Sequence, residues 1–291
     1  MIRRIVSAAI AIPIAVAILL YNNLLLYCVA AAMLSAMAVY ELLFAAEYLK
    51  NKVITAISLI FVPTLPFLLC VDIFREHMVI ICGGFILLLM GILLFMHEKV
   101  RFEQISVVAF ISIAIPLSFT SIPLIAMRYG KHAIFCLFFV LLVTWMGDAG
   151  AYFIGTFFGK HKMVPKISPK KSWEGFFGGI LISGLSAWLV GKAYETYGPQ
   201  LLGVEPFEVN IPYIIIVGLI CSVLGVLGDL CASIVKRQCM VKDFGNIMPG
   251  HGGVLDRFDS ILLAVPFVYS MFSYISPLDV QIILTRLEVG I

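Results

Sequence analysis

Residues 236–260, KRQCMVKDFGNIMPGHGGVLDRFDS, set four basic side chains, Lys236, Arg237, Lys242 and Arg257, among Asp243, Asp256 and Asp259, with a histidine and a Gly-Gly pair. Just upstream, LGVLGDLCASIVKRQ adds Asp229. On a helix Asp229, Ser233 and Lys236 or Arg237 share one stripe, because residues three or four apart stack on the same face. Asp256 and Asp259, three apart, point roughly one way if a helix begins there. Three carboxylates from two helix ends could hold one or two hard cations, and oxygen-rich sites suit Mg²⁺, which binds through a few carboxylates plus substrate phosphates. The basic side chains suit phosphate charge, with Arg able to bind it bidentately. In Gly250-His251-Gly252-Gly253 the backbone N–H groups could approach an anion closely. Metal, cations and positioning are the parts of phosphoryl or nucleotidyl transfer, which asks little covalent work of the protein. Each part has a plainer reading: a helix-start salt bridge for Asp256, Arg257 and Asp259, membrane flanks for Lys236 and Arg237, a turn residue for the lone His251. Both signs of charge gathered at one place favour the chemical reading.

A second group lies upstream. LLVTWMGDAGAYFIGTFFGK carries Asp148 within apolar sequence, where an isolated carboxylate costs at least about 2.5 kcal/mol and usually faces a partner or polar surroundings. Tyr152 follows one turn on, and Gly155 and Gly159 form the G-x-x-x-G that permits close helix contact. The next loop holds five lysines in residues 160–171. Lys160, Lys162 and Lys166 read equally well as loop charge beside a membrane. Ser168-Pro169-Lys170-Lys171-Ser172 is sharper: Ser172 is a plausible N-cap with Glu174 in the first turn, and lysines beside a helix N-terminus welcome phosphate. Trp173 reads equally well as an interfacial anchor.

The elements that must carry these groups are membrane helices. The 291 residues are 62% hydrophobic and 13% charged, against about half and a quarter for a soluble domain. Apolar runs of about 20 residues are the signature of spanning helices, since each must satisfy its own backbone. The fold class expected is all-α, a polytopic bundle with nine candidate spans centred near residues 13, 34, 61, 87, 114, 142, 181, 221 and 265. MIRRIVSAAIAIPIAVAILL has a basic start but no convincing cleavage site, and reads as a retained first helix. With that N-terminus cytoplasmic, Arg75, Arg128, Lys131, Lys192 and Arg286 fall on the far face and the remaining fifteen of 20 Lys and Arg on the near one, as the positive-inside rule expects. Loops 159–173 and 236–256 are therefore expected at the cytoplasmic side.

Residues 1–135 read as a scaffold of about five helices and residues 136–291 as a catalytic membrane domain of about four. Glu41, near a predicted cytoplasmic end, is expected to snorkel to the interface rather than react. The seven cysteines show no zinc-like spacing and read as packing or lipid-facing residues. The short chain without tails suggests a bacterial source and hence an inner membrane.

Ser233-x-x-Lys236-Arg237-x4-Lys242-Asp243, followed by His251-Gly252-Gly253-x-x-Asp256-Arg257-x-Asp259, resembles the signature of the phosphatidate cytidylyltransferases, or CDP-diacylglycerol synthases. Asp148-x-x-x-Tyr152-x-x-Gly155-x-x-x-Gly159 and Ser168-Pro169-Lys170-Lys171-Ser172-Trp173-Glu174-Gly175 resemble further segments of that family. The likeness is strong over residues 140–275, and before that is only a string of spans. The resemblance implies that CTP and phosphatidic acid yield CDP-diacylglycerol and pyrophosphate with Mg²⁺, in a membrane-lipid setting, with no nucleic acid and as a homodimer. On this expectation Asp229, Asp256 and Asp259 hold the metal, and Lys236, Arg237, Lys242 and Arg257 neutralise the triphosphate. Ser168, Lys170, Lys171, Ser172 and Glu174 grip phosphate from the opposite side, with Ser233, Asp243, His251, Gly252 and Gly253 at the substrate and Asp148 helping to line the site. The alternatives are a CTP-dependent polyprenol or lipid kinase, which would release CDP, and a cation-coupled carrier, which would consume no nucleotide.

Overall fold

The structure is a computed structural model that describes residues 13–48, 51–204, 207–245, 247 and 252–278. It is built of helices: residues 13–21, then α1 (Leu24–Ala45), α2 (Lys52–Leu68), the short α3 (Asp72–Glu76), α4 (Met78–Phe95), α5 (Phe102–Tyr129), α6 (Ala133–Phe158), α7 (Trp173–Leu202), α8 (Ile211–Gln238) and α9 (Leu255–Tyr274). Each expected centre from 34 to 265 falls within one of these helices. Among the described residues, five stretches are long and apolar enough to cross a membrane, and the longest, Phe102–Phe158, joins α5 to α6 through a 3₁₀ turn at Gly130–His132. The chain is an all-α integral membrane protein.

Local sequence sets the helix ends. Asn23 caps α1 by accepting from Leu26 N, and Asn51 caps α2 by accepting from Ile54 N. Gly203 closes α7 in the left-handed region, φ +61°. Prolines sit inside several helices, Pro63, Pro66, Pro116 and Pro123 among them, as membrane helices tolerate when neighbours and hydroxyls satisfy the freed carbonyls.

The chain divides into two compact units, one of residues up to Ile134 with Ala232–Leu262 and one of Phe135–Cys231 with residues from Leu263 onward. In the first, α1, α2, α4 and α5 enclose a core of Ala31, Val39, Leu43, Val62, Leu89, Ile105, Val108 and Phe119, with Phe61 stacked on Phe85 at 3.9 Å. Phe244 and Leu255, from the charged signature segment, are buried in that same core. The signature is thus anchored on the N-terminal helices at Phe244 and Leu255.

In the second unit, small residues bring helices together. A Cβ on Gly178 would lie 2.4 Å from Ile154 Cδ1, and one on Gly175 2.6 Å from the Ala151 carbonyl. The Ser183 hydroxyl lies 2.9 Å from the Val143 carbonyl and 2.8 Å from the Gly218 carbonyl, so one side chain ties α7 to both α6 and α8. Between α6 and α7 the expected loop contains a short antiparallel hairpin, β1 (Lys162–Val164) and β2 (Ser168–Ser172), turning through residues 165–167.

Candidate functional site

In the first unit the site is built around Asp256. Helix α9 begins at Leu255, so Asp256 stands in its first turn and Asp259 one turn further in, on the shared face expected from their spacing. The Asp256 side chain is 4% exposed. Its Oδ2 accepts from Phe244 N at 2.9 Å and Gly253 N at 3.0 Å, while Oδ1 takes the Lys236 ammonium at 2.8 Å. Lys236, from the last turn of α8, is itself mostly buried, and its ammonium lies over the Phe244 ring at 5.3 Å from the centroid. The carboxylate therefore ties Phe244 and Gly253 to the helix start and holds a cation at the same time.

Gly252 belongs to this turn for a steric reason. Its φ is +89°, and a Cβ there would lie 3.2 Å from Asp256 Oδ2 and 3.4 Å from Asp243. Gly253 and Gly245 meet a different carboxylate, Glu41. A Cβ on Gly253 would stand 2.4 Å from Glu41 Oε2, and one on Gly245 2.6 Å from Oε1. Glu41 does not snorkel. It is 1% exposed, and its oxygens accept from Val254 N and Leu255 N, both at 2.9 Å. The expectation failed because hydropathy gives depth along α1, whereas the fold supplies two backbone donors more than 200 residues away. Asp259 is 8% exposed, with the Ser260 N–H on its Oδ1. Arg237, Lys242, Asp243 and Arg257 are exposed and Ser233 half-buried, while His251 lies outside the described residues.

In the second unit Asp229, on α8, receives the Lys171 ammonium on Oδ2 at 2.6 Å, and the same ammonium donates to the Val226 carbonyl at 3.2 Å. Ser172 is the N-cap of α7, accepting from Gly175 N at 3.2 Å, as its sequence position implies. Glu174 bends back over the hairpin and takes both the backbone N–H and the Nδ1 of His161, the latter at 2.6 Å. Gly155 and Gly159 let Ser172 sit against α6, with a Cβ on Gly159 falling 2.5 Å from Ser172 Oγ. Lys170 is exposed on β2, Ser168 opens that strand, and Asp148 is half-buried on α6. His161 was missed by the sequence reading; its only signal is its place opposite Glu174 across a short hairpin.

Two of the expected metal ligands, Asp229 and Asp256, thus each hold a lysine ammonium. Among the described residues no group of three or more His, Cys, Asp or Glu side chains gathers as a metal site. Among the cysteines, Cys28, Cys136 and Cys221 are buried packing residues and Cys231 is exposed, while burial pushes the Cys239 thiol up. What both units present is a carboxylate with a cation at a helix end, and further exposed cations beside it, an arrangement suited to receiving phosphate.

Known proteins point the same way. The phosphatidate cytidylyltransferase of Bacillus subtilis is 38% identical over 193 residues, which is 66% of this chain and 66% of that protein. The proteins of that name from Haemophilus influenzae and Mycobacterium bovis are 43% identical over 143 residues and 35% identical over 199, covering 49% and 62% of this chain and 46% and 58% of theirs. The matched parts span about half to two thirds of the relatives' length. The model of the family described as "Cytidylyltransferase family" matches residues 2–275, which takes in both charged clusters and the helices that carry them, and the chain belongs to that family.

Proposed function

We propose that the protein is a phosphatidate cytidylyltransferase, transferring CMP from CTP to phosphatidic acid with release of pyrophosphate. The observation that carries this reading is the pair of lysine–carboxylate contacts, Lys236 with Asp256 and Lys171 with Asp229, within segments that match the cytidylyltransferase family. An oxygen of the phosphatidate phosphate attacks the α-phosphorus of CTP. A new P–O–P bond forms, the α–β anhydride bond breaks, and pyrophosphate leaves with the electron pair. Phosphatidate is already an oxyanion near neutral pH, so the protein need supply no general base. Lys236, Arg237, Lys242 and Arg257 bind and neutralise the triphosphate, and Lys170 and Lys171 serve as further phosphate contacts in the second unit. Lys236 and Lys171 leave their carboxylates for phosphate oxygens when substrate binds.

The donor set fits Mg²⁺ in kind. Asp256 and Asp259 offer carboxylate oxygens in the first unit, where the Lys236 ammonium already stands as a cation on Asp256; Asp229 is the corresponding carboxylate of the second unit. When bound, Mg²⁺ would neutralise developing phosphate charge as a Lewis acid, and a second cation is compatible with the same donor type. The asymmetry of Lys and Arg supports a site facing the cytoplasm, the bacterial origin of the similar proteins supports an inner (plasma) membrane, and the family resemblance supports a homodimer.

The test uses purified protein in detergent–lipid micelles with α-³²P-labelled CTP, Mg²⁺ and phosphatidic acid. Label is expected in the organic phase, with stoichiometric pyrophosphate, and is expected to vanish with EDTA or with Asp259→Ala. Release of CDP instead, or no nucleotide consumption by folded protein, would overturn the assignment.

A further inference from the structure

The buried carboxylate of Glu41 is far from the signature in sequence and has no place in the phosphate chemistry above. A helix leaves its first N–H groups without internal partners, and a polar side chain just before the helix usually takes them. Before α9 that place is held by Val254, which has no polar side chain. Glu41 supplies the cap from another helix: its two oxygens take the consecutive N–H groups of Val254 and Leu255. Asp256, facing the other way, takes Gly253 N and Phe244 N. Two carboxylates thus hold the three consecutive backbone N–H groups of residues 253–255 and that of Phe244, and Oδ1 of Asp256 is left directed at Lys236. Gly245 and Gly253 are small because Glu41 lies against them.

We propose that Glu41 is a positioning residue of the proposed cytidylyl transfer, setting the start of α9 so that Asp256 and Asp259 present their oxygens correctly to cation and substrate. At 1% exposure it is closed off from solvent, and its two oxygens are taken by the backbone N–H groups through which it acts. Its negative charge also complements the positive end of the α9 dipole. This inference rests on the transferase reading for its kinetic consequence, but the contact itself can be tested without turnover.

Glu41→Gln keeps the side chain's size yet sets an amide N–H₂ against one backbone N–H, so one of the two bonds is lost. Residues that orient metal ligands typically change affinity or activity by about 10–100-fold, so kcat should fall by about tenfold or more, with KM for phosphatidic acid little changed. The Mg²⁺ concentration for half-maximal rate should rise in step. Independently of activity, hydrogen–deuterium exchange on the full chain in micelles should speed up in peptides covering 243–260, with peptides from α7 unaltered. Glu41→Asp, which keeps the charge but is too short to reach both N–H groups, should give the same pattern more weakly, and serves if the amide variant accumulates poorly. Unchanged exchange at 243–260 with unchanged kcat and Mg²⁺ dependence would overturn the proposal. A wild-type protein that transfers no CMP, while Glu41→Gln still loosens 243–260, would overturn the transferase reading and leave the cap standing.

Discussion

Replacing Lys236 with methionine removes an ammonium from a carboxylate that is 4% exposed, and its cost can be worked from the contacts. Lys236 is 15% exposed in its side chain and meets Asp256 Oδ1 at 2.8 Å. Breaking a buried pair from one side costs about 3–5 kcal/mol, because the remaining charge stays desolvated. The two backbone N–H groups on Oδ2 still solvate Asp256 in part, which places the expected loss near the lower limit, about 3 kcal/mol. For a domain of roughly 150–250 residues each kcal/mol moves the melting point by about 2–4 °C, so Lys236→Met should melt roughly 6–12 °C lower. Asp256→Asn should cost less, since Lys236 can swing its ammonium toward water while the asparagine oxygen keeps accepting from Phe244 N and Gly253 N. The double variant should then be more stable than the sum of the two single losses implies, by about 1–3 kcal/mol. The assay is thermal unfolding of detergent-solubilised protein at one fixed scan rate. A shift under about 2 °C for Lys236→Met, or strict additivity in the double variant, would refute the claim that the pair is buried and mutually dependent.

Lys171→Ala should behave differently, because Asp229 is 35% exposed and water can replace the ammonium; stability should change by less than about 1 kcal/mol, while transfer of labelled CMP should fall sharply. Gly175→Ala drives a methyl to 2.6 Å from the Ala151 carbonyl, and backbone must move, so a loss of about 1–3 kcal/mol is expected in the same melting assay. Ser183→Ala removes the hydroxyl shared by the Val143 and Gly218 carbonyls, with an expected loss of about 1 kcal/mol and unaltered KM for CTP.

Much of this was legible because it is local. Runs of apolar residues give helices through the backbone's own demand for partners, and Ser172 marks a helix start because a short polar side chain can reach the N–H three residues on. The grouping of Asp229, Ser233 and Lys236 along α8, and of Asp256 with Asp259 on α9, follows from helical spacing alone. Partners drawn from distant sequence were not legible. Nothing in residues 38–45 announces that Glu41 will meet residues 253–255, and Lys171 and Asp229 are linked only once β2 and α8 have folded. The hairpin at 162–172 does not stand out from a plain loop in the sequence, since its two short strands carry no clear alternation. The glycines were ambiguous for the same reason. Gly253 could as well have been a phosphate-binding turn; its neighbour in the fold is a glutamate.

The contact between Glu41 and the start of α9 also fixes an order of assembly. Residue 41 enters the membrane early in synthesis, whereas its two donors are more than 210 residues further along the chain. Until the ribosome has delivered residues 254 and 255, α1 carries a carboxylate in apolar surroundings without its native partners. The turn that presents Asp256 is therefore among the last features to close. A nascent chain, however well its early helices have inserted, has no finished turn at Asp256.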